Sequence, residues 1–145
     1  MIGAGWIFGS VKFVIELIKT LLPKKAKPKL LKFENCRITP LLGVHFEFWI
    51  SNLGSKDCSL FSIKLAWPDG SEAELGYGPS TPLPKTIPSG TLAERIIAHG
   101  KYQDMPDKDT ILGTATLEFN PPHKPIIEKT QFTIEYHPLK HQFLI

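Results

Sequence analysis

The sequence predicts a mostly β protein, an antiparallel sandwich of about seven short strands preceded by one N-terminal helix. Three observations carry that reading. Thirteen prolines and eleven glycines in 145 residues break the chain too often for a helical bundle. From about residue 30 onward, apolar residues recur at every second position, the period of a half-buried strand. Before that point, the run from Ile2 to Leu22 is apolar at most positions and stops at Pro23, which cannot continue a helix. The chain therefore divides into a helix at 1–22, a basic linker at 23–32 and a sandwich at 33–145.

Within the helix, Lys12, Glu16 and Lys19 stand four and three apart, so at about 100° per residue they share one stripe, which Gly5 and Gly9 extend. The remaining faces are bulky: Trp6, Ile7, Phe8, Val11, Phe13, Val14, Leu17 and Leu21. At about 1.5 Å per residue the segment reaches about 31 Å, close to the ~30 Å of a bilayer's hydrocarbon core. Lys12 and Glu16 each cost about 2.5–3.5 kcal/mol near the midplane, which offsets most of the roughly 3–7 kcal/mol contributed by the apolar residues. Two arrangements relieve that balance. The helix can lie in the interface with its seam toward water. Copies can also bundle seam-inward, with Lys12 pairing Glu16 and the two glycines allowing close approach. Packing on the domain's own core, or in a partner, is the competing reading.

Lys24, Lys25, Lys27, Lys29 and Lys32 follow, with no acid until Glu34. Residues 1–32 hold seven lysines against Glu16 alone, whereas 33–145 hold ten Lys and Arg against thirteen Asp and Glu. Cations beside an apolar segment suit anionic headgroups at about 1 kcal/mol each. By the positive-inside tendency they also place the sandwich on the cytoplasmic side. The segment lacks a secretory signal's preceding basic region and its small-residue cleavage site. Nucleic acid is disfavoured as a partner, because no aromatic residue interleaves the lysines and the body is acidic.

In the body, Val44, Phe46, Phe48 and Ile50 alternate with His45, Glu47, Trp49 and Ser51 and end at Asn52-Leu53-Gly54. Phe61, Ile63, Leu65 and Trp67 alternate next, closing at the turn signal Pro68-Asp69-Gly70. Ala115, Leu117 and Phe119 form a third strand, and Phe132, Ile134 and Tyr136 a fourth. Weaker patterns predict strands at 31–38, 72–76 and 91–97.

The strand-ending Asn52-x-Gly54 and the Ile87-Pro88-Ser89-Gly90 that precedes a strand resemble immunoglobulin-like and fibronectin-III-like modules. That resemblance implies a fold and no function. Cys36 and Cys58 are too close in sequence, with Trp49 between them, for the antibody inter-sheet pair, although a sandwich can still bring them together. The layout also resembles the membrane-tethered plant sandwich of the water-stress and hypersensitive-response type, whose Asn-Pro-Asn strand end is replaced here by Asn52-Leu53-Gly54. With an immunoglobulin-like strand order, the tether leaves from the same end as loops 52–58, 76–90 and 120–128. Loops 68–71 and 99–111 then point away.

No catalytic, metal or cofactor site is expected. There is no Gly-x-Ser-x-Gly elbow and no phosphate loop. Pro138 between His137 and His141 argues against a helical metal pair, and His123 lies in a proline-rich turn. Asp104, Asp107 and Asp109 lack the glycine and distal glutamate of a calcium loop. The fifteen-residue loop 76–90 is longer than usual connections. It is read either as a surface presenting Tyr77, Leu83 and Ile87 to a partner or as a strap across a sheet edge. The expected function is a non-enzymatic binding or assembly module held to a membrane by helix 2–22 and the lysine run, with a protein partner or self-association. The alternative is a structural subunit of a filament, virion or other multi-chain complex, its helix packed in a partner or on copies of itself.

Overall fold

The computed structural model describes residues 25–121 and 123–135, which hold seven strands and no helix. The expected helix at 2–22, Lys24, and the histidines at 137 and 141 lie outside the described residues. The strands are β1 (Pro28–Thr39), β2 (Gly43–Asn52), β3 (Cys58–Ala66), β4 (Lys85–Ile87), β5 (Thr91–Gly100), β6 (Thr110–Asn120) and β7 (Ile126–Ile134). They hydrogen-bond in the order β4-β3-β6-β7-β1-β2-β5, one sheet curled until it nearly closes.

β1 joins the two halves of that sheet. It runs antiparallel to β2 from Pro28↔Asn52 to Thr39↔Gly43, and parallel to β7 at Arg37↔Thr133 and Ile38↔Ile134. An all-antiparallel arrangement was expected, and this pair departs from it. Register shifts between Leu30 and Lys32 and between Glu34 and Arg37 mark where β1 bends from one half to the other. Asn35 adopts φ +50° in the second of these, a region that Asn tolerates better than most residues.

The predicted alternation builds the core. Val44, Phe46, Phe48 and Ile50 of β2 meet Ile96 and Ala98 of β5, Ala115, Leu117 and Phe119 of β6, and Phe132 and Ile134 of β7. The Phe46 and Phe132 rings stand edge to face with centroids 5.6 Å apart, and Trp67 meets Phe132 at 5.2 Å. Gly113 is required by this packing, since a Cβ there would lie 2.8 Å from the Phe132 ring and 2.9 Å from Leu65.

Three strand expectations are corrected. β1 starts at Pro28, so Lys29 and Lys32 belong to a strand rather than a linker. Residues 72–76 make only isolated bridges, Ala66↔Glu72 and Leu75↔Gly100, and a short strand β4 lies inside the segment read as the long loop. Phe61 faces outward and is 47% exposed, because a register shift between Leu60 and Ser62 displaces it from the inward row that Leu65 and Trp67 keep.

Candidate functional site

The described chain begins at one pole of the domain, and Asn52 organises that pole. Asn52 closes β2, where Asn is a natural strand-ending residue, and its side chain is wholly buried. Its Oδ1 accepts the Lys27 backbone N–H at 2.9 Å and the Gly54 N–H at 3.2 Å. Its Nδ2 donates to the carbonyls of Lys56 and Ile87, each at 2.9 Å. One amide thus fastens the incoming chain, loop 53–57 and strand β4 together, with all its hydrogen-bonding directions used. The Ser55 N–H donates to the Lys25 carbonyl at 3.1 Å. Gly54 permits this approach, since a Cβ there would sit 2.1 Å from the Lys25 oxygen. Ser89 closes the cluster, its hydroxyl donating to the Gly54 carbonyl at 2.6 Å and its N–H to the Asp57 carboxylate at 2.9 Å.

Lys25 and Lys27 are both exposed at this pole, and Lys56 and Lys124 stand beside them. Lys25, Ala26, Lys56, Pro121, His123 and Lys124 line a shallow cavity of about 390 Å³. Of the expected linker residues, Lys29 pairs across from Ser51 on β1. Lys32 pairs with Glu34 at 2.6 Å and lies 5.8 Å above the Trp49 ring.

The other pole carries loops 67–75 and 101–109. There the Trp67 indole N–H donates to Gln103 Oε1 at 2.9 Å, and the Gln103 amide donates to the Glu72 carbonyl at 3.1 Å. The Lys101 N–H donates to the Glu74 carbonyl at 3.0 Å.

Segment 76–84 runs along β5, the edge strand of the sheet. The Gly76 N–H donates to the His99 carbonyl at 2.9 Å, and the Thr81 N–H to the Ile97 carbonyl at 2.8 Å. In return, the Thr81 and Ser80 hydroxyls accept the Ile97 and His99 N–H groups at 2.9 and 3.0 Å. These bonds replace the ladder partners that the edge would otherwise lack. Of the three proposed contact residues, Tyr77 and Leu83 are partly exposed, whereas Ile87 is fully buried. Ile87 points into the core because β4 pairs with β3 through Cys58↔Ile87, so its side chain is not offered to a partner. Tyr77 lies beneath the Lys101 ammonium, 4.7 Å from the ring centroid. Leu83 borders a cleft of about 380 Å³ that Phe61, Ile63, Leu75 and Ile97 also line.

A cluster that periodicity could not single out lies on the outer face of β1, β2 and β5. Glu47, on the outward row of β2, is only 7% exposed because Asn35, His45 and Arg95 surround it. The Asn35 amide donates to its carboxylate and, with the His45 and Arg95 charges nearby, holds it below the usual 4.5 despite the opposing effect of burial. His99 stacks edge-on against His45 with centroids 5.8 Å apart, and burial, then the neighbouring imidazole, pushes its pKa below 6.5. The only signal in the sequence was the charge itself, since alternation assigns Glu47 to the solvent side.

Cys36 and Cys58 are free thiols, each raised above 9.0 by burial first, the reverse of an activated nucleophile. Among the described residues, no group of three His, Cys, Asp or Glu side chains is placed to hold a metal ion.

No family model and no curated protein matches the chain. Among solved structures, it is similar to Northeast Structural Genomics Consortium target SoR45, with TM-score 0.38 and 16% identity, over 75% of this chain and 83% of that one.

Proposed function

We propose that this protein is a non-enzymatic binding or assembly module, a β-sandwich attached to a membrane by helix 2–22 and the lysines that follow it. The observation that supports this reading most is the fastening of Lys25–Lys27 to Asn52 and Ser55. A leader that served only as a slack linker would need no such junction. A chain fastened at residues 25–27 instead fixes where and in which direction whatever precedes it enters the folded body.

The strand order supports the finer fold reading. β1-β2-β5 and β3-β6-β7 have the neighbours of strands A-B-E and C-F-G in an immunoglobulin-like sandwich, and β4 takes the place of C′ beside C. The parallel β1–β7 contact then joins the two sheets along one side.

Flotation of the full chain with liposomes containing anionic lipid, compared with a chain lacking residues 1–24, tests the function. The deletion must stop there, because Ala26 is buried and Pro28 opens β1. Flotation that is lost on deletion and weakened by salt supports membrane attachment. A full chain that stays in solution, while deletion dissolves a defined oligomer, contradicts it and favours a subunit of a protein assembly.

A further inference from the structure

The two poles of the domain differ in charge, while both expose leucines, Leu53 and Leu92 at one and Leu41 and Leu42 at the other. Residues 25–27, 53–57 and 121–125 carry Lys25, Lys27, Lys56 and Lys124 against Asp57 alone. The Asp57 carboxylate already accepts the Ser89 N–H. Among the described residues, none of these four lysines has a carboxylate within 4 Å, whereas Lys32, Lys64, Lys85 and Lys101 are all paired. Leu53 and Leu92, 52% and 77% exposed, project from the same pole, near each other through the Asn52↔Thr91 pair. At the opposite pole, loops 67–75 and 101–109 hold six carboxylates, Asp69, Glu72, Glu74, Asp104, Asp107 and Asp109, against Lys101 and Lys108.

We infer that the folded pole itself, through Lys25, Lys27, Lys56, Lys124 and the exposed Leu53 and Leu92, is a docking face for an anionic lipid surface. The inference rests on the membrane reading above and adds that the body lies down on the bilayer rather than hanging from its leader. Charge complementarity carries it. Unpaired ammonium groups around two exposed leucines suit headgroup phosphates over an acyl boundary, and the acidic far pole is repelled by the same surface. Continuity adds to it, since Lys25, the first described residue of the basic run, lines the cavity at this pole.

Lysine acetylation, read peptide by peptide on the full chain, tests the inference. The chain is bound to vesicles of phosphatidylcholine alone or with phosphatidylserine. The expected result is several-fold slower modification of Lys56 and Lys124 on phosphatidylserine vesicles only, reversed by about 0.5 M salt, with Lys64 and Lys108 unchanged. The double variant Lys56→Glu/Lys124→Glu should float with its helix yet abolish the protection of Lys25. Flotation with Lys56 and Lys124 reacting as fast as Lys108 overturns the docking face while leaving the anchor intact. Failure to float on any vesicle removes the membrane reading and the docking face with it. Equal protection on phosphatidylcholine alone, or from inorganic phosphate without vesicles, also overturns it, in favour of apolar contact or a free-phosphate site respectively.

Discussion

The Asn52 side chain accepts the backbone N–H of Lys27 at 2.9 Å, so a residue at the end of β2 holds the chain just before β1 begins. The same amide donates to Lys56 and Ile87, which makes it a junction of three segments rather than a cap on one.

Asn52→Asp is the informative substitution there. A carboxylate keeps the acceptor role toward Lys27 and Gly54 but cannot donate to the carbonyls of Lys56 and Ile87. Two buried carbonyls then lose their partners beside a buried charge. The expected loss is about 2–4 kcal/mol of unfolding free energy, read by urea denaturation. A loss within about 0.5 kcal/mol, the scatter of ordinary surface changes, would show that water satisfies the site.

Gly54→Ala tests the same junction from the backbone side. The new Cβ would meet the Lys25 carbonyl oxygen at 2.1 Å and the Lys27 nitrogen at 2.6 Å, neither of which is the end of a flexible side chain. Residues 25–27 must move away, at a cost of about 1–3 kcal/mol. Amide exchange should then speed up at Ser55, whose N–H donates to Lys25.

Acid should weaken the fold in two stages. Burial lowers the His99 pKa below 6.5, so the unfolded chain binds that proton more readily, and stability present above 6.5 is lost as pH falls toward the folded value. Glu47 is likewise depressed below 4.5, chiefly by Asn35, so its contribution is present above 4.5 and lost as pH falls through its lower folded value. Urea midpoints should therefore decline below about pH 6.5 and again below about pH 4.5. His99→Gln should remove the first decline and Glu47→Gln should shrink the second, which Glu34 and Asp69, also held below their ordinary values by Lys32 and by Ser71, continue to feed. Profiles unchanged by both substitutions would contradict these assignments.

Thr81→Val removes the hydroxyl that accepts the Ile97 N–H while keeping the side chain's shape. The expected cost is about 1 kcal/mol, together with faster aggregation on agitation, because part of the β5 edge is uncovered. Light scattering of agitated samples checks the second effect. Lost stability with unchanged aggregation would mean that segment 76–84 does not guard the edge.

Much of the body was legible because its core rests on strict alternation. Val44, Phe46, Phe48 and Ile50 are all fully buried, as their spacing requires. Where local irregularity intervenes, the pattern fails: the displaced register at Phe61 exposes an aromatic ring that alternation would bury. β4 escaped notice because three residues cannot show a period, and because the surrounding prolines and glycines read as loop. Asn52 was legible as a strand end, but its role as a junction depends on partners up to 35 positions away. The Glu47 cluster depends similarly on a bend in β1 that turns Asn35 toward β2. The expected helix 2–22, on which the membrane reading rests, lies outside the described residues.

The most direct test places a nitroxide at Lys56→Cys or at Lys108→Cys in the full chain bound to anionic vesicles, in a Cys36→Ser/Cys58→Ala background. β strands of ten residues separate the poles by about 33 Å. The account predicts strong relaxation of the residue 56 label by a lipid-soluble paramagnet, with the residue 108 label behaving as it does in water. Equal relaxation of both labels, or stronger relaxation at 108, would contradict it.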